Sequence, residues 1–226
     1  MQHKFFAICA LHDKHYCSWF GVQCDDAAEH VTGLFPNPRG SGNPLVGQLP
    51  AAIAKLSKLE HFYSSNDQTQ SYLSGTLPVE FGSLKNLKCM YFSHNIISGT
   101  IPKSFEQLTN LQVFLMRCNN LSGPLIDFSP LTQLKNVWFD SQSLTGTLES
   151  LGRLKNLTFL QASKNKLSGP VPASLCRLGG HCYGEGNANI TCPLPKPGCC
   201  MVDTCGKVPE PVPDPIKESM GECYPQ

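Results

Sequence analysis

One pattern of apolar and polar positions occurs four times in regular form along the middle of the chain. Apolar residues recur at every second or third position, an amide follows them, and a glycine introduces a short apolar ending. The first unit reads Leu84-x-x-Leu87-x-x-Met90-x-Phe92-x-x-Asn95-x-Ile97-x-Gly99-x-Ile101-Pro102, and similar units begin at Leu108, Leu134 and Leu157. The glycines of successive units lie 23 or 24 residues apart, at Gly75, Gly99, Gly123, Gly146 and Gly169.

Each unit predicts one coil of a solenoid. Its Leu-x-x-Leu-x-Leu part alternates with period two, which predicts a short strand with one buried and one wet face. The Gly-x-Ile-Pro part predicts a second extended segment, and stretches such as residues 81–84 predict a short helical or 3-10 arm. A period of 20 to 29 residues with this leucine spacing is typical of leucine-rich repeats. We therefore expect an α/β solenoid with a parallel concave β-sheet, short helical or 3-10 convex arms and capped ends.

An amide follows each predicted strand. Its side chain is expected to bond the backbone of adjacent coils and to form a ladder inside the turn. Gln142 is longer than asparagine, so its rung is expected to be imperfect. The ladder positions are Asn95, Asn119, Gln142, Asn165 and Asn187.

Cysteines cluster at both ends of the repeats. Such clusters predict disulfide-stapled caps and an oxidising compartment. The tandem Cys199-Cys200-x4-Cys205 lacks the Cys-x2-Cys pairing of zinc sites, so we expect no metal and no cofactor. Cys89 and Cys118 would lie about 16 Å apart along the strand direction, and are expected to be free or buried thiols. The cysteines expected in disulfides are Cys17, Cys24, Cys182, Cys192, Cys199, Cys200 and Cys205.

Three sequons agree with secretion, and their acceptors are Asn120, Asn156 and Asn189. We expect a secreted or cell-surface protein. The net charge of +1 with 15% charged residues argues against a nucleic-acid partner. The sequence holds no run of eighteen apolar residues, so no membrane span is expected in this chain.

Four regions are expected along the chain. Residues 1–30 form an amino-terminal cysteine cap, and residues 31–175 form the repeat array. A degenerate last repeat and a cysteine-rich cap occupy 176–207, and a proline-rich tail occupies 208–226. Residues 1–10 have the order of a signal peptide but a short apolar core; the alternative is a broken capping helix.

The Leu-x-Gly-x-Ile-Pro endings, together with Cys17-Ser-Trp19-Phe-Gly21-Val22-Gln-Cys24, resemble the plant-type leucine-rich repeat family. Polygalacturonase-inhibiting proteins and receptor-kinase ectodomains share this build, and the resemblance covers roughly residues 17–195. It implies a twisted right-handed superhelix whose concave face binds a protein, peptide or glycan. It also implies a cap disulfide between Cys17 and Cys24. The chain departs from the family in the segment before Cys17 and in its cysteine-dense carboxy-terminal cap.

The period-two alternation predicts which side chains lie on the solvent-exposed face of the strands. A central column would hold Tyr63, Tyr91, Leu115, Trp138 and Gln161, flanked by Phe159 on one side and by Arg117 and Asp140 on the other. Tyr, Trp and Arg are enriched at binding hot spots. The alternative is that the aromatics merely shield the sheet. The ligand-binding residues we expect are Tyr63, Tyr91, Leu115, Arg117, Trp138, Asp140 and Phe159.

The favoured function is extracellular recognition of a protein, peptide or oligosaccharide without catalysis. An inhibitor of a secreted cell-wall hydrolase would use the same face. A structural or ice-binding protein would use its outer edges, where Thr76, Thr100 and Thr147 form a partial row. No catalytic residues are expected, because the seven histidines are scattered and no nucleophile or carboxylate pair stands out.

Overall fold

The computed structural model describes residues 14–19, 21–35, 46–64, 72–191 and 200. Several predicted features lie outside this part: residues 1–10, the tail from 208, and Cys192, Cys199 and Cys205. The division into four regions stays a prediction.

The described chain winds into a solenoid whose coils each contribute one strand to a long sheet. Eight strands form this sheet in the order β1-β2-β4-β6-β8-β10-β12-β14. All neighbours pair in parallel except β1 and β2, which form an antiparallel pair at the amino-terminal end. The strands are β1 (Val22–Cys24), β2 (Val31–Leu34), β4 (His61–Tyr63), β6 (Cys89–Tyr91), β8 (Val113–Leu115), β10 (Asn136–Trp138), β12 (Phe159–Gln161) and β14 (Cys182–Tyr183).

The residues that lead into the repeat glycine form the other strands, whereas the Gly-x-Ile-Pro part was expected to do so. Five strands pair in the order β7-β9-β11-β13-β15, and a separate pair joins β3 to β5. These strands are β3 (Val46–Gln48), β5 (Tyr72–Ser74), β7 (Ser98–Gly99), β9 (Asn120–Pro124), β11 (Ser143–Gly146), β13 (Lys166–Pro170) and β15 (Asn189–Thr191). A second extended segment is therefore present in each coil, but it lies a few residues earlier than expected and ends at the repeat glycine or within one residue of it.

The convex arms are mostly single turns of 3-10 helix. Three of them directly follow a proline in extended conformation. Proline suits this position because its nitrogen carries no hydrogen and the first residues of a helix have no intrahelical acceptor for one. The 3-10 helices are Lys14–Ser18, Ala51–Lys55, Val79–Ser83, Lys103–Gln107 and Ala173–His181, and one α-turn, α1, spans Glu149–Gly152.

The core lies between the long sheet and the arms. The inward side chain of each coil packs against the same position in the coils on either side, as in all solenoids. Phenylalanines are its largest fully buried side chains, and the rings of Phe62 and Phe92 lie 4.7 Å apart and edge-on. The phenylalanines that are less than 2% exposed are Phe62, Phe81, Phe92, Phe105, Phe114, Phe128 and Phe139.

The amide ladder (Asn95, Asn119, Gln142, Asn165 and Asn187) holds successive coils together. Asn119 donates to the carbonyl oxygens of Phe92, Met116 and Arg117, at 2.9 to 3.2 Å. Its own oxygen accepts from the backbone N–H of Ile97 at 3.1 Å. Asn95 and Asn165 each have one acceptor bond and three donor bonds of the same kind. Gln142 donates to the carbonyl oxygen of Met116 and accepts from the backbone N–H of Leu121. It makes two hydrogen bonds where Asn95 makes four, so its rung is imperfect, as expected.

Disulfides close the two ends of the described solenoid. Cys17 bonds to Cys24 and ties the first 3-10 helix to β1. At the other end Cys182 on β14 bonds to Cys200. The last coil carries strands β14 and β15 and the Asn187 rung, so it keeps the architecture of the regular coils.

Candidate ligand-binding face

The concave face is the face of the long sheet that points away from the core. The pairing register aligns Tyr63, Tyr91, Leu115, Trp138 and Gln161 in one column, as the period-two rule predicts. The column continues to Tyr183, which pairs beside Gln161.

Tyr183 was missed from the sequence, although a signal for it exists. Four of the column residues lie four positions before a ladder amide, namely Tyr91, Leu115, Trp138 and Gln161. Tyr183 stands at the same distance from Asn187. The ladder therefore locates the concave position even where the leucine pattern fails.

The expectation that this face is exposed to water is wrong. Tyr63, Tyr91, Leu115, Trp138 and Phe159 are only 2 to 7% exposed, and Asp140 is 6% exposed. The five apolar residues among these belong to a second apolar cluster, separate from the core. Its members are Phe35, Tyr63, Cys89, Tyr91, Val113, Leu115, Trp138, Phe159 and Tyr183.

Part of this burial comes from contact between neighbouring rings. The rings of Tyr63 and Tyr91 lie 4.4 Å apart and edge-on. Phe159 lies 5.6 Å from Trp138 and 5.7 Å from Tyr183. Strands about 4.8 Å apart place such residues side by side, and each ring pair adds about 0.5 to 1.5 kcal/mol beyond its buried area.

Arg117, Trp138 and Asp140 form a mixed polar and aromatic group that we call the recognition edge. The guanidinium carbon of Arg117 lies 4.6 Å from the ring centroid of Trp138, a cation–π contact. Its Nε lies 3.7 Å from Oδ1 of Asp140, an ion pair without a hydrogen bond. The Arg117 side chain is 29% exposed, so this edge combines a solvent-accessible cation with a buried carboxylate.

Several buried polar atoms on the concave side lack a hydrogen-bond partner within the described part of the chain. They include Nε1 of Trp138, Oδ1 of Asp140 and the hydroxyl of Tyr183. An indole N–H only donates and a carboxylate only accepts, so together they match the carbonyl and N–H groups of a peptide backbone. Leaving such groups unsatisfied costs about 1 to 3 kcal/mol each, which a ligand would recover.

A small cavity of about 10 Å³, large enough for one water molecule, lies on the amino-terminal half of this face. Tyr63, Cys89, Tyr91, Val113 and Leu115 line it. Its walls are almost entirely apolar, in contrast to the recognition edge.

Cys89 and Cys118 differ from each other. Cys118 is the free cysteine of the described residues, half-buried, and a hydrogen bond with His94 lowers the pKa of its thiol against the opposing effect of burial. Cys89 is buried, as expected, but it is disulfide-bonded, so the expectation of a free thiol is wrong there. Cys176 is also disulfide-bonded, which was not predicted from the sequence.

The outer edge offers a structural explanation for the threonine row. A Cβ built on Gly123 would lie 2.8 Å from Cγ2 of Thr100, and one on Gly99 would lie 3.0 Å from Cγ2 of Thr76. Each threonine methyl therefore packs over the glycine of the next coil. This contact accounts for threonine at these positions without an ice-binding role.

The three sequon asparagines, Asn120, Asn156 and Asn189, are all exposed. Asn156 donates to the carbonyl oxygen of Thr132 at 2.9 Å. Glycosylation at these positions stays a prediction.

Among the described residues no helix has the length and apolarity needed to cross a bilayer, and no group of three or more His, Cys, Asp or Glu could hold a metal ion.

Comparison with known proteins agrees with the geometry. A family model described as Leucine Rich Repeat matches residues 86–108 and 156–178. The structure is similar to the ectodomain of the receptor kinase SOBIR1 from Arabidopsis thaliana, with a TM-score of 0.63, 28% identity, and coverage of 75% of this chain and 96% of that one. The chain is a leucine-rich repeat protein of the plant type.

Two further relatives are much longer than this chain. The ectodomain of the Arabidopsis receptor kinase HAESA, in complex with an IDA peptide hormone ligand, matches with a TM-score of 0.62 and 27% identity, over 76% of this chain and 30% of that one. Protein MALE DISCOVERER 1 from Arabidopsis thaliana is 38% identical over 76 residues, which are 34% of this chain and 9% of that protein. This chain therefore corresponds to a small part of each.

Proposed function

We infer that this protein is an extracellular recognition module that binds a peptide, or an extended segment of a protein, on its concave face and carries out no chemistry of its own. The observation that carries this inference is the recognition edge. There, buried Trp138 and Asp140 have polar atoms without hydrogen-bond partners among the described residues, beside the partly exposed cation of Arg117. Buried polar groups are otherwise nearly always hydrogen-bonded.

The comparisons support a peptide ligand. The HAESA ectodomain structure contains a peptide hormone, and this chain shares its fold. A peptide in extended conformation presents carbonyl and N–H groups at intervals close to the strand spacing. A carbonyl would accept from Nε1 of Trp138, and an N–H or a cationic side chain would donate to Oδ1 of Asp140. An acidic group on the ligand would pair with Arg117.

The test is a binding screen with the secreted protein against extracellular peptides, secreted proteins and cell-wall oligosaccharides. Arg117→Ala should lose the hit or weaken it at least about tenfold, because it removes an interfacial charge and its packing on Trp138. The matched control is Arg153→Ala on the convex side, where Arg153 is 63% exposed and pairs with Glu149 at 3.7 Å. The control should bind like the unmodified protein.

Each outcome of the screen has a distinct meaning. A peptide or protein hit that is lost only with Arg117→Ala supports the proposal. A hit that survives Arg117→Ala and falls with Arg153→Ala would move the site to the convex side. A secreted hydrolase as the hit would favour the inhibitor function on the same face. An oligosaccharide hit would overturn the peptide assignment.

A further inference from the structure

We propose that the carboxy-terminal end of the concave face is a subsite for a cationic side chain of the ligand, formed by Tyr183 and Glu185. Together with Arg117, this subsite selects a peptide in which an acidic residue and a lysine or arginine stand four residues apart. The inference rests on the proposed function, because it names the charge pattern of the ligand that binds the same face.

A row of four side chains runs along the concave face two positions beyond the aromatic column. In each coil the N–H of the residue after the row member donates to the carbonyl oxygen of the row member in the next coil, at 2.6 to 3.1 Å. These bonds carry the register of the long sheet to the row, and side chains two positions apart share a face. The row members are Arg117, Asp140, Ser163 and Glu185.

The carboxylate of Glu185 is the uncompensated charge of this row. Arg117 and Asp140 lie 3.7 Å apart and offset each other, whereas Glu185 forms no ion pair with a described residue. Buried Ser163 donates to Oε2 of Glu185 at 2.5 Å and so holds the carboxylate against the sheet. A carboxylate accepts several hydrogen bonds, so Glu185 can accept further donors.

Tyr183 gives a second, independent indication that a partner binds here. It is only 6% exposed, and its hydroxyl is buried without a hydrogen-bond partner among the described residues. Buried polar groups are otherwise nearly always bonded. Burial, and then the negative charge of Glu185, raise the pKa of this hydroxyl. It therefore stays protonated at neutral pH, and its oxygen can accept from a cationic N–H.

The surroundings of these two residues suit a cation better than a neutral donor. The ring of Phe159 lies 5.7 Å from that of Tyr183, and aromatic faces attract cations within about 6 Å. A neutral donor would leave the charge of Glu185 uncompensated, whereas an ammonium or guanidinium group would pair with it and also donate to Tyr183. Gln161 and Glu185 are partly exposed, so this end of the face is open to solvent.

The distance to Arg117 fixes the position of the cation along the ligand. Arg117 follows β8 and Glu185 follows β14, which is three strand spacings away, or about 14 Å. In an extended peptide, side chains four residues apart point the same way and lie about 13 Å apart. When an acidic residue of the ligand pairs with Arg117, the residue four positions from it reaches Glu185.

A charge-scanning peptide library tests the subsite. Its members are peptides of about ten residues with blocked ends, each with one glutamate and one lysine at separations from two to six residues and mixed neutral residues elsewhere. Binding to the full chain is measured by fluorescence polarisation at pH 7.5. We expect the tightest binding at a separation of four, and about tenfold weaker binding when norleucine replaces that lysine.

Glu185→Gln assigns the lysine preference to its residue. In this variant the lysine and norleucine peptides should bind equally, while circular dichroism and the urea midpoint stay unchanged because no ion pair is lost. Glu80→Gln is the matched control, since Glu80 is an exposed carboxylate on the 3-10 arm Val79–Ser83, and it should keep the preference.

The outcomes separate this subsite from the recognition function. Peptide binding without a lysine preference at a separation of four would overturn the subsite and leave the recognition function standing. A lysine preference that persists in Glu185→Gln would do the same. If no peptide of the library binds, the peptide function itself is overturned, and the subsite with it.

Discussion

Two sets of buried polar side chains lie a few residues apart on the solenoid, and they differ in whether their hydrogen bonds are made. In the amide ladder, Asn119 uses both donor hydrogens and its oxygen on backbone partners in its own and adjacent coils. On the concave face, Trp138 and Asp140 are similarly buried, yet Nε1 of Trp138 and Oδ1 of Asp140 have no hydrogen-bond partner among the described residues. Satisfied groups hold the coils together, and under the proposed function the unsatisfied ones are the groups that a ligand would pair with.

The largest effect should come from breaking the ladder. Asn119→Ala would leave the buried N–H of Ile97 without its partner, whereas the carbonyl oxygens of Phe92, Met116 and Arg117 each keep a second donor. We expect the free energy of unfolding to fall by about 2 kcal/mol, since a buried group left without its hydrogen bond costs about 1 to 3 kcal/mol. Denaturant titration measures it.

Gln142→Ala is the internal control for that variant. Gln142 makes two bonds and is only partly buried, so about half the loss is expected. Equal losses for the two variants would mean that the number of hydrogen bonds does not set the stability of a rung.

A smaller effect should appear as pH dependence at the amino-terminal end of the concave face. Burial lowers the pKa of His61, with the charge of Glu60 opposing and that of Lys88 adding to the shift. The unfolded chain therefore binds the proton first, and stability falls as the pH drops below about 6.5. Hydrogen bonds also lower the pKa values of Asp25 and Asp127, and these carboxylates affect stability only at more acidic pH.

Urea midpoints at pH 7.5 and 5.5 check this expectation, with His61→Gln as the comparison. The variant should lose part of the drop in midpoint between the two pH values. A drop of unchanged size would assign the pH dependence to other groups.

The repeat architecture was predictable because its determinants are local. Period-two spacing fixes which side chains face the core, and the regular 23 or 24 residue period sets the register that aligns Tyr63 with Tyr91 and Leu115. The ladder followed from the amide positions, including the weaker Gln142 rung.

The state of the concave face was not predictable in this way. A pattern shows which face a residue stands on, but not what lies over that face, because that depends on contacts distant in sequence. Tyr91 is therefore on the predicted face and yet only 2% exposed. Cysteine spacing likewise did not predict that Cys89 and Cys176 are disulfide-bonded, because disulfide pairing depends on which cysteines the fold brings together.

The most direct test of the account compares affinity and stability for Trp138→Phe. Phenylalanine keeps an aromatic ring in the cluster and removes Nε1, which makes no hydrogen bond within the described structure. For a ligand found in the screen, we predict a dissociation constant about tenfold higher, or about 1.4 kcal/mol. The free energy of unfolding should change by less than about 1 kcal/mol, as for a conservative apolar replacement. Unchanged affinity with a large loss of stability would contradict the account, because Trp138 would then serve the fold and not the ligand.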